Sequence, residues 1–264
     1  MTETDKLNSI FFDVLNDLKD YLDNLTLVGG WLPYVYINYL WDNVVAKPTT
    51  TVDIDFGLKK TDTKTYHKTI FDELLRLNYK EHYIEIGKLF PVILYKEGKI
   101  PIHFITSPET DKKSIEKFVG CQIYINIIDK FDFLLEHRIS IDIKTKKGNY
   151  KIYCPKPSAF LYHKGATFID REDEQKQAKD LYYMYFILRY APDIKSIFKE
   201  VAQYRKKGYL KNISANLNKY FERETSKGCL MVEKENGDDE YIDNLRQDIF
   251  DRFKNLRELL SNIQ

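Results

Sequence analysis

Apolar residues near the start of the chain recur at steps of three and four, the period that places them on one face of an α-helix. This pattern predicts an amphipathic helix over residues 4–22. A short apolar run, Leu25–Val28, follows and ends at Gly29 and Gly30, which predicts a buried strand closed by a turn where the backbone approaches another group closely. Residues 31–41 return to helical periodicity and are predicted to form a second helix.

Carboxylates then alternate with apolar residues in the segment 49–56, which has the sequence TTTVDIDF. A strand has a side-chain period of two, so Asp53 and Asp55 are predicted to share one face while Val52, Ile54 and Phe56 point to the other. Two carboxylates this close repel each other unless a cation lies between them. Mg²⁺ is usually held by one or two carboxylates together with substrate phosphates, so the segment predicts a Mg²⁺ site at Asp53 and Asp55.

The rest of the first half mixes helical and strand-like patterns. Helical periodicity covers 64–77, and the stretch 111–132 is predicted to begin as a helix and to continue as a short strand. Further strands are predicted over 83–86, 90–95, 100–106, 138–145 and 149–154, with turns at 97–98 and 147–148. We therefore predict an α+β fold with a mixed sheet and flanking helices.

The pattern changes at the proline pair Pro155 and Pro157, after which it is helical to the end. Proline disfavours continuation of the preceding structure and can open a helix, so we place a domain boundary here. The predicted domains are 1–155 and a helical C-terminal domain, 156–264. Helices are predicted over 158–168, 173–189, 193–204, 210–221 and 241–260, with a loop over 222–239.

Composition restricts the function classes. Charged residues make up 31% of the chain at a formal net charge of +1, so the bulk charge does not call for a nucleic-acid or membrane partner. Cys121, Cys154 and Cys229 are too few and scattered for a disulfide framework, and we predict free thiols in a reducing compartment. No apolar run approaches membrane-spanning length, so we expect a cytoplasmic protein. Walker, nucleophile-elbow and Rossmann motifs are absent from the sequence.

A strand, the pair Gly29 and Gly30 opening a helix, and a later strand carrying Asp53 and Asp55 together resemble the nucleotidyltransferase superfamily of DNA polymerase beta, the CCA-adding enzymes and the poly(A) polymerases. The resemblance implies that residues 1–155 form a nucleotidyltransferase-fold domain. It also implies that the backbone after the Gly pair holds the triphosphate of a nucleotide. The two carboxylates would bind one or two Mg²⁺ ions that align this nucleotide with its acceptor.

The helical half makes the resemblance more specific. The segment SAFLYHKGA, then Arg171, then the segment KDLYY are similar to the AbiEii branch, the nucleotidyltransferase-like toxins of toxin–antitoxin systems and their relatives. This similarity implies that Lys164 contacts the nucleotide phosphates and that Asp180 is a supporting or catalytic acid. Thr51, beside the acidic pair, joins the nucleotide-binding set. Tyr183 stands where the branch has a second acid. Without the upstream motif, Lys164 and Asp180 would be interpreted as exposed helix residues with short-range charge pairs.

Active members of the superfamily usually carry a third carboxylate on a later strand, where it helps to bind the metal and to accept a proton. Here His103 occupies that place in the pattern. Imidazole suits Mg²⁺ less well than a carboxylate does, although it can act as a base near neutral pH. Three alternatives stay open: His103 is the base, Glu85 or Glu109 replaces the missing acid, or the site binds a nucleotide without transferring it.

The sequence therefore predicts a Mg²⁺-dependent nucleotidyltransferase that moves a nucleotidyl group from a nucleoside triphosphate to an acceptor hydroxyl. The acceptor stays open among an RNA, a protein and a small molecule. By resemblance to the toxin branch, an RNA or protein acceptor and an antitoxin partner are expected first. The alternative is a nucleotide-binding or protein-interaction module of the same fold that has lost catalysis.

Overall fold

Two compact units make up the chain in the computed structural model, which describes residues 3–46, 51–59, 66–87, 89–96, 100–145, 148–236 and 244–262. The first unit consists of Met1–Val35 and Thr49–Pro155, and the second of Tyr36–Pro48 and Lys156–Gln264. The sequence-based division places 36–48 in the first domain, whereas here it belongs with the helical unit. Some predicted positions lie outside the described residues, namely 49–50, 64–65, 97–98, 147, 237–239 and 241–243.

A mixed β-sheet forms the centre of the first unit. The strands are β1 Leu25–Val28, β2 Ile54–Leu58, β3 Lys80–Tyr83, β4 Val92–Lys96, β5 Ile100–Thr106, β6 Ile125–Ile127, β7 Arg138–Thr145 and β8 Gly148–Pro155. They lie in the order β3–β4–β5–β2–β1–β8–β7, and β6 pairs with β5 off this path. β1 is antiparallel to β2 and parallel to β8, while β2 is parallel to β5, so the sheet is mixed. The α+β prediction is confirmed.

Five helices belong to this unit: α1 Glu3–Asp17, α2 Leu32–Val35, α3 Ile70–Arg76, α4 Lys112–Val119 and α5 Asp132–Glu136. A 3₁₀ turn, Gly29–Trp31, leads directly from β1 into α2. The ring of Phe11 on α1 stacks on Trp31 with a centroid separation of 4.2 Å and an interplanar angle of 7°. Both side chains are buried, so this contact packs α1 against the turn after β1.

Several element boundaries differ from the sequence-based expectations. The helix expected over 4–22 ends at Asp17, and the helix expected over 31–41 is α-helical only over Leu32–Val35. The acidic strand, expected over 49–56, begins at Ile54, and the strand expected at 83–86 lies at Lys80–Tyr83. The helix expected over 64–77 begins only at Ile70, because Thr69 forms a capping box with Asp72. At α3 a capping side chain, rather than apolar periodicity, therefore determines where the element begins.

The capping box of α3 provides a local test of stability. The Thr69 hydroxyl accepts a hydrogen bond from the Asp72 backbone N–H at 3.1 Å. Replacing Thr69 with alanine removes this acceptor and should lower the free energy of unfolding by about 1 kcal/mol, measured by urea denaturation. Thr69→Ser keeps the hydroxyl and is expected to retain most of the stability. Equal losses in the two variants would show that the cap does not stabilise α3.

The second unit is helical. Its helices are α6 Pro157–Thr167, α7 Glu174–Tyr190, α8 Ile194–Lys206, α9 Ile213–Tyr220, α10 Lys227–Asn236 and α11 Leu245–Ser261. α6 is buried along residues 158–166 and packs on α7, α8 and α9, so it is the central helix of the unit. None of the helices in the described parts of the chain is long and apolar enough to cross a membrane.

The prediction of a loop over 222–239 is wrong for Lys227–Asn236, which forms α10. Gly228 in its first turn does not mark a loop. A Cβ atom at this position would lie 2.6 Å from the Tyr220 carbonyl oxygen and 2.7 Å from the Phe221 ring. The glycine therefore allows the helix to pack closely on the end of α9, a requirement that sequence pattern does not distinguish from a turn.

A charged network joins α7 and α11 within this unit. The Asp248 carboxylate accepts hydrogen bonds from Tyr185 Oη and Arg189 Nη1, both at 2.7 Å, and from Arg252 Nε at 2.9 Å. Burial alone would raise the pKa of Asp248, but the hydrogen bonds from Arg252 and Tyr185 outweigh it and hold the pKa below its ordinary value. Asp248 is therefore ionised near neutral pH and links the two helices.

The three cysteines are free thiols, as predicted. Cys154 and Cys229 are buried, whereas Cys121 is exposed. Burial raises the pKa of the Cys229 thiol to about 11, and that of Cys154 is raised further for the same reason. Both buried thiols are therefore protonated near neutral pH and act as packing side chains.

Candidate functional site

Gly29 ends β1 in a conformation that side chains disfavour, with φ of +73°. A Cβ atom there would lie only 2.1 Å from Oδ2 of Asp55, which is on the neighbouring strand. Glycine is therefore required for two independent reasons, backbone conformation and close approach of a carboxylate. Gly30 follows it in the buried 3₁₀ turn that opens α2. Gly29, the first residue of the predicted Gly pair, and Asp55, one of the two predicted acids, are therefore in close contact.

Asp53 lies just before β2, and its position is fixed by contacts on both sides. The Trp31 indole N–H donates to the Asp53 carbonyl at 3.0 Å, and the Thr51 hydroxyl donates to Asp53 Oδ1. Val52 is 59% exposed, so the prediction that it shares the buried apolar face with Ile54 is wrong. The segment is not yet a strand at residue 52, and the alternation of faces begins only at Ile54.

Asp55 and His103 occupy paired positions on adjacent parallel strands. The register places Asp55 of β2 beside His103 of β5 and opposite Val28 of β1. His103 Nδ1 lies 4.0 Å from Asp55 Oδ1, and these side chains are 27% and 16% exposed. The three central strands therefore bring Gly29, Asp55 and His103 together, and the imidazole lies beside Asp55.

The two other acids considered for the third position do not join this cluster. Glu85 follows β3, which β4 separates from β5, so it lies roughly two strand spacings, about 10 Å, from that strand. Glu109 lies beyond Thr106 at the end of β5, whereas Asp55 pairs near the middle of that strand. His103 is therefore the titratable side chain that the register places next to Asp55.

The donor atoms suit a hard cation. Asp53 and Asp55 offer carboxylate oxygens, both are partly exposed, and oxygen ligands are those that Mg²⁺ prefers. Within the described residues, no group of three or more His, Cys, Asp and Glu side chains is arranged to hold a metal ion. A Mg²⁺ ion at this site would therefore need water or substrate oxygens to complete its coordination.

The second unit holds the other two predicted residues, and they form a buried cluster. Lys164 on α6 donates to Asp180 Oδ1 on α7, and Arg171 Nε donates to Asp180 Oδ2 at 3.2 Å. Lys164 is 8% and Asp180 4% exposed, so the alternative interpretation of both as exposed helix residues is wrong. The Lys164 ammonium also lies 5.5 Å from the centre of the Phe160 ring. The Asp180 carboxylate thus forms ion pairs with both Lys164 and Arg171.

Two functional contacts were missed by sequence reasoning. Trp31 was assigned only to a helix, although its indole N–H holds the backbone of Asp53. Arg171 was not recognised as a partner of Asp180, because a separation of nine residues matches no helical spacing. A 3₁₀ turn, Phe168–Asp170, ends before Arg171 and α7 begins at Glu174, so Arg171 lies in the connection before the helix that carries Asp180.

No protein-family model matches the sequence, and comparison with curated proteins finds no match. Among solved structures, the chain is similar to the crystal structure of an antigenic nucleotidyltransferase-like protein from Paracoccidioides brasiliensis, with 12% sequence identity and a TM-score of 0.40. The match covers 78% of this chain and 93% of that one. A likeness this loose carries no weight for the function of this chain.

Proposed function

We propose that the protein is a metal-dependent nucleotidyltransferase that moves a nucleotidyl group from a nucleoside triphosphate to an acceptor hydroxyl. The contact of Gly29 with the Asp55 carboxylate is the observation that carries this proposal. It brings the turn Gly29–Trp31, which opens α2, next to carboxylate oxygens that can hold a cation. A triphosphate with its bound cation needs both kinds of group within one small site.

Each residue of the site has a part in positioning charge. The backbone of Gly29 and Gly30 binds phosphate oxygens, and the Thr51 hydroxyl orients Asp53. Asp53 and Asp55 would hold Mg²⁺, which supplies positive charge to the phosphates when bound. With the triphosphate fixed in this way, an acceptor hydroxyl can attack the α-phosphorus in line as pyrophosphate leaves. Catalysis then comes mainly from positioning and electrostatics.

His103 is proposed as the group that accepts the proton from the attacking hydroxyl. Its imidazole is partly exposed and 4.0 Å from Asp55, so it can reach both solvent and the site. Neutral imidazole accepts a proton near pH 7, which a carboxylate does less readily. This arrangement would let Asp53 and Asp55 serve only as metal ligands.

Lys164 and Asp180 enter the proposal as part of a cationic cluster. Lys164 and Arg171 both pair with the carboxylate of Asp180, which brings two cations close together. Arg171 has a 38% exposed side chain and is the member that solvent reaches most easily. Such a cluster favours phosphate, with Lys164 as the buried cation and Asp180 as the acid that orients both. An antitoxin partner belongs to the proposal only through the resemblance to the toxin branch.

A transfer assay tests the proposed activity. The protein is incubated with Mg²⁺ and each of the four α-³²P-labelled triphosphates, with bulk cellular RNA and lysate as sources of acceptor. We expect labelled acceptor with at least one triphosphate, and at least a hundredfold less with Asp53→Ala, because the metal loses a ligand. Asp142→Ala removes an exposed carboxylate of β7 in the same unit and should transfer like the wild type.

The alternative is a module that binds a nucleotide without transferring it, and the imidazole in place of a carboxylate at residue 103 favours it. Nucleotide binding without labelled product from any triphosphate would support this alternative and contradict the enzyme. His103→Asp separates the two further. If His103 takes part in the reaction, transfer should be slower in this variant. If the site is degenerate, the restored carboxylate should create or increase transfer.

A further inference from the structure

A strip of basic side chains follows α8 and the turn after it. Residues 193–220 contain seven Lys or Arg against two Asp or Glu, although the net charge of the whole chain is +1. Five lysines in this strip are exposed and have no carboxylate partner within the part of the chain that the structure describes: Lys195, Lys199, Lys206, Lys207 and Lys211. We call this set, together with the neighbouring Tyr209, the α8 basic face.

The two acidic residues of the segment do not neutralise this face, because other groups already engage them. Asp193 caps α8 and accepts a hydrogen bond from the Ser196 backbone N–H at 3.0 Å. Glu200 accepts from Lys156 Nζ at 2.9 Å and from the Ser158 hydroxyl, both outside the basic strip. The positive charge of the α8 basic face is therefore left to solvent and to a partner.

The spacing of the lysines makes a row rather than a scattered charge. Lys195, Lys199 and Lys206 are separated by four and seven residues, which places them on the same side of the helix. At the rise of an α-helix, this row spans about 16 Å. The opposite side of α8 buries Val201 and Tyr204, so the row faces away from the core of the unit. A row of flexible lysine side chains can contact successive phosphates of a nucleic-acid strand.

Tyr209 places an aromatic ring at one end of this row. Its backbone N–H donates to the Tyr204 carbonyl at 3.1 Å, and its own carbonyl accepts from the Tyr162 hydroxyl. The backbone is thus fixed while the residue stays 37% exposed. Aromatic rings beside basic grooves stack on unpaired bases, which gives such surfaces affinity for single strands beyond charge alone.

We propose that the α8 basic face binds single-stranded RNA. An anionic membrane would require an apolar surface beside the cations, and the apolar side of α8 is buried instead. An acidic peptide would leave the Tyr209 ring without a stacking partner. RNA is the nucleic acid that ordinarily offers unpaired bases, whereas cellular DNA is mostly duplex. The choice of RNA as the acceptor class rests on the proposed function, but the binding itself requires no transfer.

Fluorescence anisotropy with a labelled oligouridylate of about 20 nucleotides tests this inference without triphosphate or metal. We expect the triple variant Lys195→Gln, Lys199→Gln and Lys206→Gln to bind more weakly. The slope of log K against log salt should fall in magnitude by about 2, since each lost phosphate contact removes about 0.7. The matched control is Lys112→Gln, Lys113→Gln and Lys117→Gln on α4, which makes the same change in net charge and should bind like the wild type.

Stacking is tested separately. Tyr209→Ala should weaken binding roughly tenfold, and Tyr209→Phe should not, because phenylalanine keeps the ring. Three results would overturn the inference: unchanged binding in the α8 triple variant, equal losses in the two triple variants, or tighter binding of the matching DNA oligonucleotide or of anionic vesicles than of RNA. Normal RNA binding without nucleotidyl transfer would contradict the proposed function while leaving this inference intact.

Discussion

Gly29→Ala is expected to abolish nucleotidyl transfer and to lower the free energy of unfolding by about 3 kcal/mol. The substitution forces an alanine into a backbone conformation with φ of +73°, which costs about 1–2 kcal/mol. It also places a methyl group 2.1 Å from Asp55 Oδ2, so the carboxylate or the turn must move. Displacing a catalytic group by about 1 Å can cost a hundredfold in rate. Urea denaturation and the transfer assay measure the two effects.

A glycine elsewhere in the first unit separates backbone strain from the clash. Gly87 has φ of +61°, and a Cβ atom there would meet nothing within 4 Å. Gly87→Ala should therefore cost only the strain, about 1 kcal/mol, and leave transfer unchanged. The difference between the two losses in free energy of unfolding measures the destabilisation caused by the clash of residue 29 with the Asp55 carboxylate.

A double-mutant cycle with Asp55 makes this test specific. In an Asp55→Ala background the oxygen that the new methyl group would strike is gone. The additional destabilisation caused by Gly29→Ala should then fall to about the value of Gly87→Ala. Fully additive free energies would mean that Gly29 and Asp55 do not interact as the geometry requires, and normal transfer by Gly29→Ala would contradict the site itself.

The fold class could be predicted from apolar periodicity because burial of one face leaves a regular pattern. The predicted strands Leu25–Val28 and Ile100–Thr106 lie where their alternation or apolar run placed them. Boundaries were less accurate where a polar side chain sets the start of an element, as Thr69 does for α3. α10 was missed because glycine in a sequence signals a turn, whereas Gly228 serves close packing.

The candidate site could be predicted only in part. The positions of Gly29, Asp53, Asp55 and His103 followed from short-range pattern, and the strand register brings Gly29, Asp55 and His103 together. The role of Trp31 depends on a contact between residues far apart in the chain, which periodicity does not encode. Burial of Lys164 and Asp180 could not be predicted from the sequence either, since a lysine in a helix is ordinarily exposed.

Lys164→Met is expected to lower the free energy of unfolding by about 3 kcal/mol, because it leaves the buried Asp180 carboxylate with only the partly exposed Arg171. The control is Lys227→Met, which breaks an ion pair with Glu174 on the same helix as Asp180. Both members of that pair are more than half exposed and screened by solvent, so the loss should be much smaller than that of Lys164→Met. Urea denaturation compares the two variants.

Removal of both charges distinguishes a structural role from phosphate binding. Lys164→Met combined with Asp180→Leu leaves no unpaired buried charge, so the double variant should be more stable than Lys164→Met alone. If Lys164 also contacts the triphosphate, the double variant should still show a raised KM for it in the transfer assay. Recovery of both stability and KM would restrict Lys164 to a structural role. Unchanged stability in Lys164→Met would contradict the buried ion pair, because a buried carboxylate that keeps only one partly exposed partner should lower the free energy of unfolding.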